Sequence, residues 1–162
     1  MHTLDSLAGL TRRELDAVFE GGTLPMPAEL RGVGDGRVYW IGRRRAPSGP
    51  LAALRNPLLL WRGKVFSDDD AGGVRGLNRI GIGPFERRAF RFTAEIRPSE
   101  LTTGEVLYID HDKPGNPASV RAYHDEARWV ADDLLLAQSH RRVDGELRFI
   151  CCFGIRIART PA

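Results

Sequence analysis

Two hydrophobic periods divide the chain. Near the N-terminus, Leu15, Val18 and Phe19 recur at helical spacing behind Thr11, and Glu14 follows Thr11 by three residues. That is the reciprocal capping box, in which two side chains satisfy backbone donors left open at a helix start. Leu10 before the cap and Leu15 after it have the spacing of a hydrophobic staple, and Gly21-Gly22 closes the segment. From Thr23 to Asp35 the prolines and glycines predict a connector over the surface. A second short helix is expected at Leu51 to Arg55, closed by Pro57.

Beyond Leu58 the period becomes two. Strands are predicted at 60–66, 74–80, 89–97, 105–110, 123–130, 134–142 and 146–157. The clearest alternation sets Phe90, Phe92, Ala94 and Ile96 against Arg91, Thr93, Glu95 and Arg97. Asp144-Gly145 marks the last hairpin. Strands at hairpin spacing with no long crossover helices predict a mainly β, antiparallel barrel of about eight strands, with a short N-terminal helix packed on it. An open sheet with a helix across one face is the competing architecture. The whole chain, 1–162, is expected to form one domain: a helix and connector over 1–35, an irregular or helical segment over 36–57, and the barrel over 58–158.

Composition narrows the class. Hydrophobic residues are 42% and charged residues 28%, which is ordinary for a globular chain and excludes a fibrous or disordered one. No apolar run reaches the length of a membrane span or of a signal peptide. The two cysteines are adjacent, so they supply neither a disulfide framework nor a zinc quartet, and a reduced, cytoplasmic compartment is expected. Cys151 and Cys152 read as small hydrophobes in a strand. The net charge of +3 is too small to predict nucleic-acid binding. Arginine nearly replaces lysine, the only lysines being Lys64 and Lys113, as in chains coded at high GC content. Arg43-Arg44-Arg45 is expected to be a solvated loop, with an anion or partner contact as the alternative.

No strong catalytic motif is present. Gly32-Val33-Gly34-Asp35-Gly36 and Gly81-Ile82-Gly83 lack the strand-turn-helix setting of a dinucleotide site, and the first is read as a flexible turn. Asp110, His111 and Asp112 could converge on a metal only with an irregular backbone, and the surrounding Asp, Asn, Gly and Pro favour a plain turn. On the next segment Tyr123, Asp125, Ala127 and Trp129 share one face and His124, Glu126 and Arg128 the other. A carboxylate among Tyr, Ala and Trp predicts a buried group of raised pKa. Leu134, Leu136, Gln138 and His140 then share a face of pocket-like composition. Lys64 stands out by the scarcity of lysine, although a surface lysine with its stem on apolar neighbours is the simpler reading. Alternation places it with Arg62 and Phe66, opposite Trp61, Gly63 and Val65.

Trp61-x-Gly63-Lys64-x-Phe66, Asn78, Ile109-Asp110-His111-Asp112 with Asn116-Pro117, and His124-Asp125-Glu126-x-Arg128 occur in that order. Together they resemble a group of uncharacterised, mainly actinobacterial, lipocalin-like or calycin-like small proteins over about Leu58 to Ile157. In that group a Pro-Gly-Leu-x-Leu-Gly turn follows the Asp-Glu-x-Arg strand, whereas here Asp132-Asp133-Leu134-Leu135-Leu136-Ala137 stands there. The resemblance implies a barrel and carries no activity with it.

The expected function is binding of a small hydrophobic organic molecule inside the barrel, with cofactor-free acid/base chemistry of the isomerase, cyclase or lyase type. Asp125 is the expected proton-transfer group, helped by Tyr108 or His140, while Lys64, Arg128 or Gln138 polarises an oxygen. Trp61, Asn78, Phe90, Phe92, Tyr123, Trp129 and Phe153 complete the expected lining. No metal, cofactor, nucleic acid or membrane span is expected, and the protein is expected to be a monomer or homodimer. A carrier with the same pocket and a regulatory subunit are the rival functions.

Overall fold

The computed structural model describes residues 1–48, 56–69 and 73–158. Two short helices, α1 (Leu4–Ala8) and α2 (Arg12–Glu20), precede the strands. The strands are β1 (Gly32–Ile41), β2 (Arg44–Arg45), β3 (Trp61–Asp68), β4 (Val74–Ile82), β5 (Phe85–Pro98), β6 (Glu105–Asp110), β7 (Tyr123–Ala131), β8 (Leu134–Val143) and β9 (Glu146–Arg156). A one-turn helix, α3 (Ala118–Arg121), lies between β6 and β7. Each strand pairs antiparallel with its neighbour, and β1 returns to pair with β9 from Asp35↔Arg156 to Ile41↔Cys151. With the two-residue β2 set aside, eight strands close into a barrel, which removes the exposed edges an open sheet would leave.

Two apolar layers hold it together. Inside, Phe66, Phe92, Leu107, Trp129, Leu135, Phe153 and Ile155 fill the barrel. Outside, Leu7 of α1 and Leu15 and Phe19 of α2 cover Tyr39, Leu134, Leu136 and Cys152. Strand β8 is therefore buried on both faces, which is why Leu134-Leu135-Leu136-Ala137 shows no alternation. The Thr11–Glu14 capping box forms as expected, and Gly21 ends α2.

The chain departs from the expected pattern in two places. The segment 32–36 is not a flexible turn but the start of β1, so the connector ends at Arg31 and the stretch after residue 36 continues as strand to Ile41. The physical reason is close approach: a Cβ on Gly36 would collide with the Trp61 ring, and one on Gly63 (φ +135°) with the Gly34 carbonyl. Second, register shifts interrupt the alternation of β1, β3, β5, β7 and β9. The shift at Arg62 turns Trp61 into the interior layer, on the side of Lys64 rather than opposite it. The shift in β5 leaves Phe90 with φ +56°, half-buried at a bulge and out of the alternation that holds Phe92 and Ala94 inside. The turn after β6 forms as read, with Asp112 N–H donating to Asp110 Oδ1. The helix expected at Leu51 to Arg55 lies outside the described residues.

Candidate functional site

Strand β3 carries Lys64 into the barrel, where it is 1% exposed, so it is not the surface lysine that composition favoured. Its Nζ lies 2.9 Å from Asn78 Oδ1, 3.0 Å from Asp125 Oδ2 and 3.1 Å from His111 Nε2. An ammonium has three donors, and here each meets an acceptor. Accepting at Nε2 places the proton of His111 on Nδ1. Asn78 also accepts from Trp61 Nε1 at 2.9 Å and donates to the Phe90 carbonyl at 2.9 Å. Asp125 receives a further hydrogen bond from the Ser139 side chain. Aromatic rings close the centre: Nζ stands 4.7 Å from the centroid of Phe92 and 5.9 Å from that of Phe153. Phe153 packs edge-on against Trp61 at 4.7 Å.

Electrostatics follow from this packing. Burial pushes the Lys64 ammonium below its ordinary pKa, and Asp125 restores only part of the loss. Burial pushes the Asp125 carboxyl up, but Lys64, His111 and Ser139 outweigh it and hold the group below its ordinary value. The raised pKa expected from the neighbours Tyr123, Ala127 and Trp129 is thus overturned, because the deciding neighbour comes from β3. His111 is pushed down to about 4 by burial and by Lys64, so it is neutral near pH 7.

The centre sits in one half of the barrel. Phe66, Val74, Ala94, Trp129 and Leu135 make an apolar floor toward the end where β3 turns into β4. Toward the other end, Val38, Ile41, Trp61 and Ile150 are only partly buried. Tyr123 and Arg141, paired across β7 and β8, lie toward that same end, with the guanidinium 5.9 Å from the ring.

Other expected site residues point the opposite way. Tyr108, His124 and His140 stack on the outside of the barrel, centroids 5.1 and 5.8 Å apart, and Phe149 and Arg97 extend the row. Gln138 is also outside, donating to Asp16 and accepting from Arg12 of α2. Arg128 donates to the carbonyls of Glu20 and Thr103, beside the Phe19 ring. Tyr108, His140, Gln138 and Arg128 therefore cannot share a ligand with Asp125 across the barrel wall. Trp129 is interior, but its Nε1 donates to Glu29 at the floor end. The structure brings together Lys64, Asp125, Asn78, Trp61, Phe92 and Phe153, and adds His111 and Ser139. His111 was read as part of a turn; its place after a strand ending in Asp110 was the only signal of an inward side chain.

Both thiols are buried, and burial pushes Cys152 up to about 12 and Cys151 higher. Among the described residues no group of three or more His, Cys, Asp and Glu is arranged to hold a metal ion. Among the described residues no helix is long and apolar enough to cross a membrane.

Comparison with known proteins returns the fold alone. No family model matches the chain, and no curated protein matches it. A crystal structure of a protein from the actinobacterium Thermomonospora curvata superposes with a TM-score of 0.53 at 15% identity, over 96% of this chain and 94% of that one. The chain therefore shares its small β-barrel fold with that protein.

Proposed function

We propose that the barrel binds a small, mainly apolar organic molecule against the Lys64–Asp125 centre and moves a proton on it, as a cofactor-free isomerase, cyclase or lyase of a lipocalin-like group. The observation that carries this reading is a lysine and an aspartate, each at most 3% exposed, 3.0 Å apart in a small polar cluster that aromatic and aliphatic side chains enclose. Taking two charges out of water costs several kcal/mol per ion, and an interior of this size can be filled with apolar side chains alone. Folding does not require the pair, so chemistry is its better explanation.

The roles follow from the ionisation states. Asp125, held as a carboxylate, is the proton acceptor, and neutral His111 beside it is a second one. Lys64 is the donor that steadies negative charge developing on a carbonyl oxygen. Trp61, Phe92 and Phe153 supply the apolar walls. A ligand would reach the centre from the end where Val38, Ile41 and Ile150 are only partly buried. The carrier reading has its own support: all three Lys64 donors are already satisfied, an arrangement suited to holding a ligand unchanged.

The test pairs a ligand screen with a charge-free barrel. Purified protein is titrated with medium-sized ketones, enones and their carboxylate analogues, following indole fluorescence and product formation. The double variant Lys64→Met/Asp125→Leu is expected to remain folded while losing binding and turnover together. Retention of ligand binding by that variant would overturn the proposal. Binding without turnover in the native protein selects the carrier.

A further inference from the structure

The end of the barrel with the partly buried Val38, Ile41 and Ile150 also carries, Met1 aside, the most exposed large apolar side chain among the described residues. Phe85 is 82% exposed and Ile82 50% exposed, on the two strands of the β4–β5 hairpin, with exposed Gly83 and Pro84 at its tip. They are a cross-strand pair, Ile82↔Phe85, so they project together. A hairpin tip normally carries turn-forming polar residues, and nothing in the barrel needs a phenylalanine there.

The charge beside this tip that has no ion-pair partner among the described residues is of one sign. Arg87 and Arg88 follow it on β5, and Arg62 lies on the adjoining β3. All three are exposed and make no ion pair among the described residues. The neighbouring carboxylate, Glu86, is engaged at both oxygens by Arg79. The turn between β1 and β2 opens toward the same end, with exposed Arg43 and Arg44, while Arg45 is used up on the Ala8 and Gly9 carbonyls. The opposite end of the barrel instead carries Asp69, Asp132 and Asp133, beside an Asp68 that is paired with Arg31. A modest net charge of +3 therefore conceals a molecule polarised along its axis.

We infer that the β4–β5 hairpin docks the protein reversibly on an anionic lipid surface, with Phe85 and Ile82 entering the headgroup region and the arginines on phosphates. Stable peripheral association needs two signals, and an apolar wedge beside a basic cluster supplies both. The shape favours a bilayer over other anionic partners. A convex tip sinks into a soft surface, whereas nucleic acid requires a charged track along a groove and a protein requires a matching pocket. On the far side of the same end, Asp144 and Glu146 break the basic surface, so contact is made through the β3–β5 side alone. The inference does not rest on the proposed chemistry, and the charge-free double variant Lys64→Met/Asp125→Leu is expected to leave docking intact.

Sedimentation with vesicles tests it. The native protein should pellet with phosphatidylcholine vesicles containing about a third phosphatidylglycerol, and remain in solution with phosphatidylcholine alone. Phe85→Ser should weaken partitioning at least about fivefold, and Arg87→Glu with Arg88→Glu at least about twenty-fivefold, at about fivefold for each arginine lost. Melting curves matching the native protein will show that these exposed substitutions leave the barrel folded, and Ile82→Ser provides a second variant of the wedge. No pelleting with anionic vesicles would overturn the inference. Pelleting that Phe85→Ser and Ile82→Ser leave unchanged would also overturn it, as would equally tight binding to heparin or duplex DNA.

Discussion

An ammonium and a carboxylate buried 3.0 Å apart stabilise each other only while both are present. Asp125→Asn keeps the size of the side chain and its reach to Ser139, but leaves the Lys64 charge without a counter-ion. The expected cost is about 3–5 kcal/mol, read as a lower Tm and a lower denaturation midpoint. Replacing both members, in Lys64→Met/Asp125→Leu, should recover most of that loss, because apolar pairs of similar volume are neutral or stabilising at such positions. If Asp125→Asn melts like the native protein, the ion pair does not form in solution. An aspartate judged only by its own strand would have tolerated the amide. Alternation in β7 was enough to mark Asp125, and the rarity of lysine was enough to mark Lys64. Their pairing was not legible, because it depends on the Lys64↔Asn78 register and on strands more than sixty residues apart. His111 was hidden by the turn residues around it.

At the scale of elements, two separate apolar clusters predict that the outer layer opens without the barrel. Helix α2 is short, and a cap like that of Thr11 is worth about 1 kcal/mol. Cys152 lies under the helices and Cys151 inside the barrel, so the two neighbouring thiols sample different openings. Both should resist alkylation in the native state. With Cys151→Ala as background, Thr11→Ala is expected to raise the labelling rate of Cys152 about fivefold, the factor that corresponds to 1 kcal/mol. With Cys152→Ala as background, the same change should leave the rate at Cys151 nearly unaltered. Equal acceleration at both would show that the helices detach only when the barrel unfolds. The helix cap and seven of the eight barrel strands could be read from local pattern. The first strand could not, since its glycines imitate a loop and are there to admit Trp61 and Ile155. Nor could the bulges, because one extra residue reverses inside and outside without altering composition.

The pH dependence of stability belongs to the whole molecule, because groups inside and outside the wall contribute with the same sign. His111 inside and His140 under the outer layer are both pushed from 6.5 to about 4, each chiefly by burial. His124, stacked between Tyr108 and His140, is lowered too, again mainly by burial. Between pH 6.5 and 4 the unfolded chain binds protons that the folded chain refuses. Stability therefore falls as pH drops through that window, and His111 alone tilts it by up to about 1.4 kcal/mol per pH unit. Asp125 adds a second loss lower down. Its pKa is depressed from 3.8, so its contribution is intact above that value and disappears as pH falls below it through the folded value. The Tm should be level from about pH 7 to 8, decline continuously from 6.5 to 4, fall further beneath 3.8, and fall again above 9.0, where the unfolded chain ionises the thiols that the folded chain keeps protonated. His140→Phe keeps a ring between His124 and Phe149 and removes one of the titrating groups. It should flatten the decline between 6.5 and 4 while leaving the high-pH plateau and the steep acid limb in place. A slope identical to that of the native protein would mean that His140 takes up its proton equally in the folded and unfolded chains, and that the aromatic row is open to water.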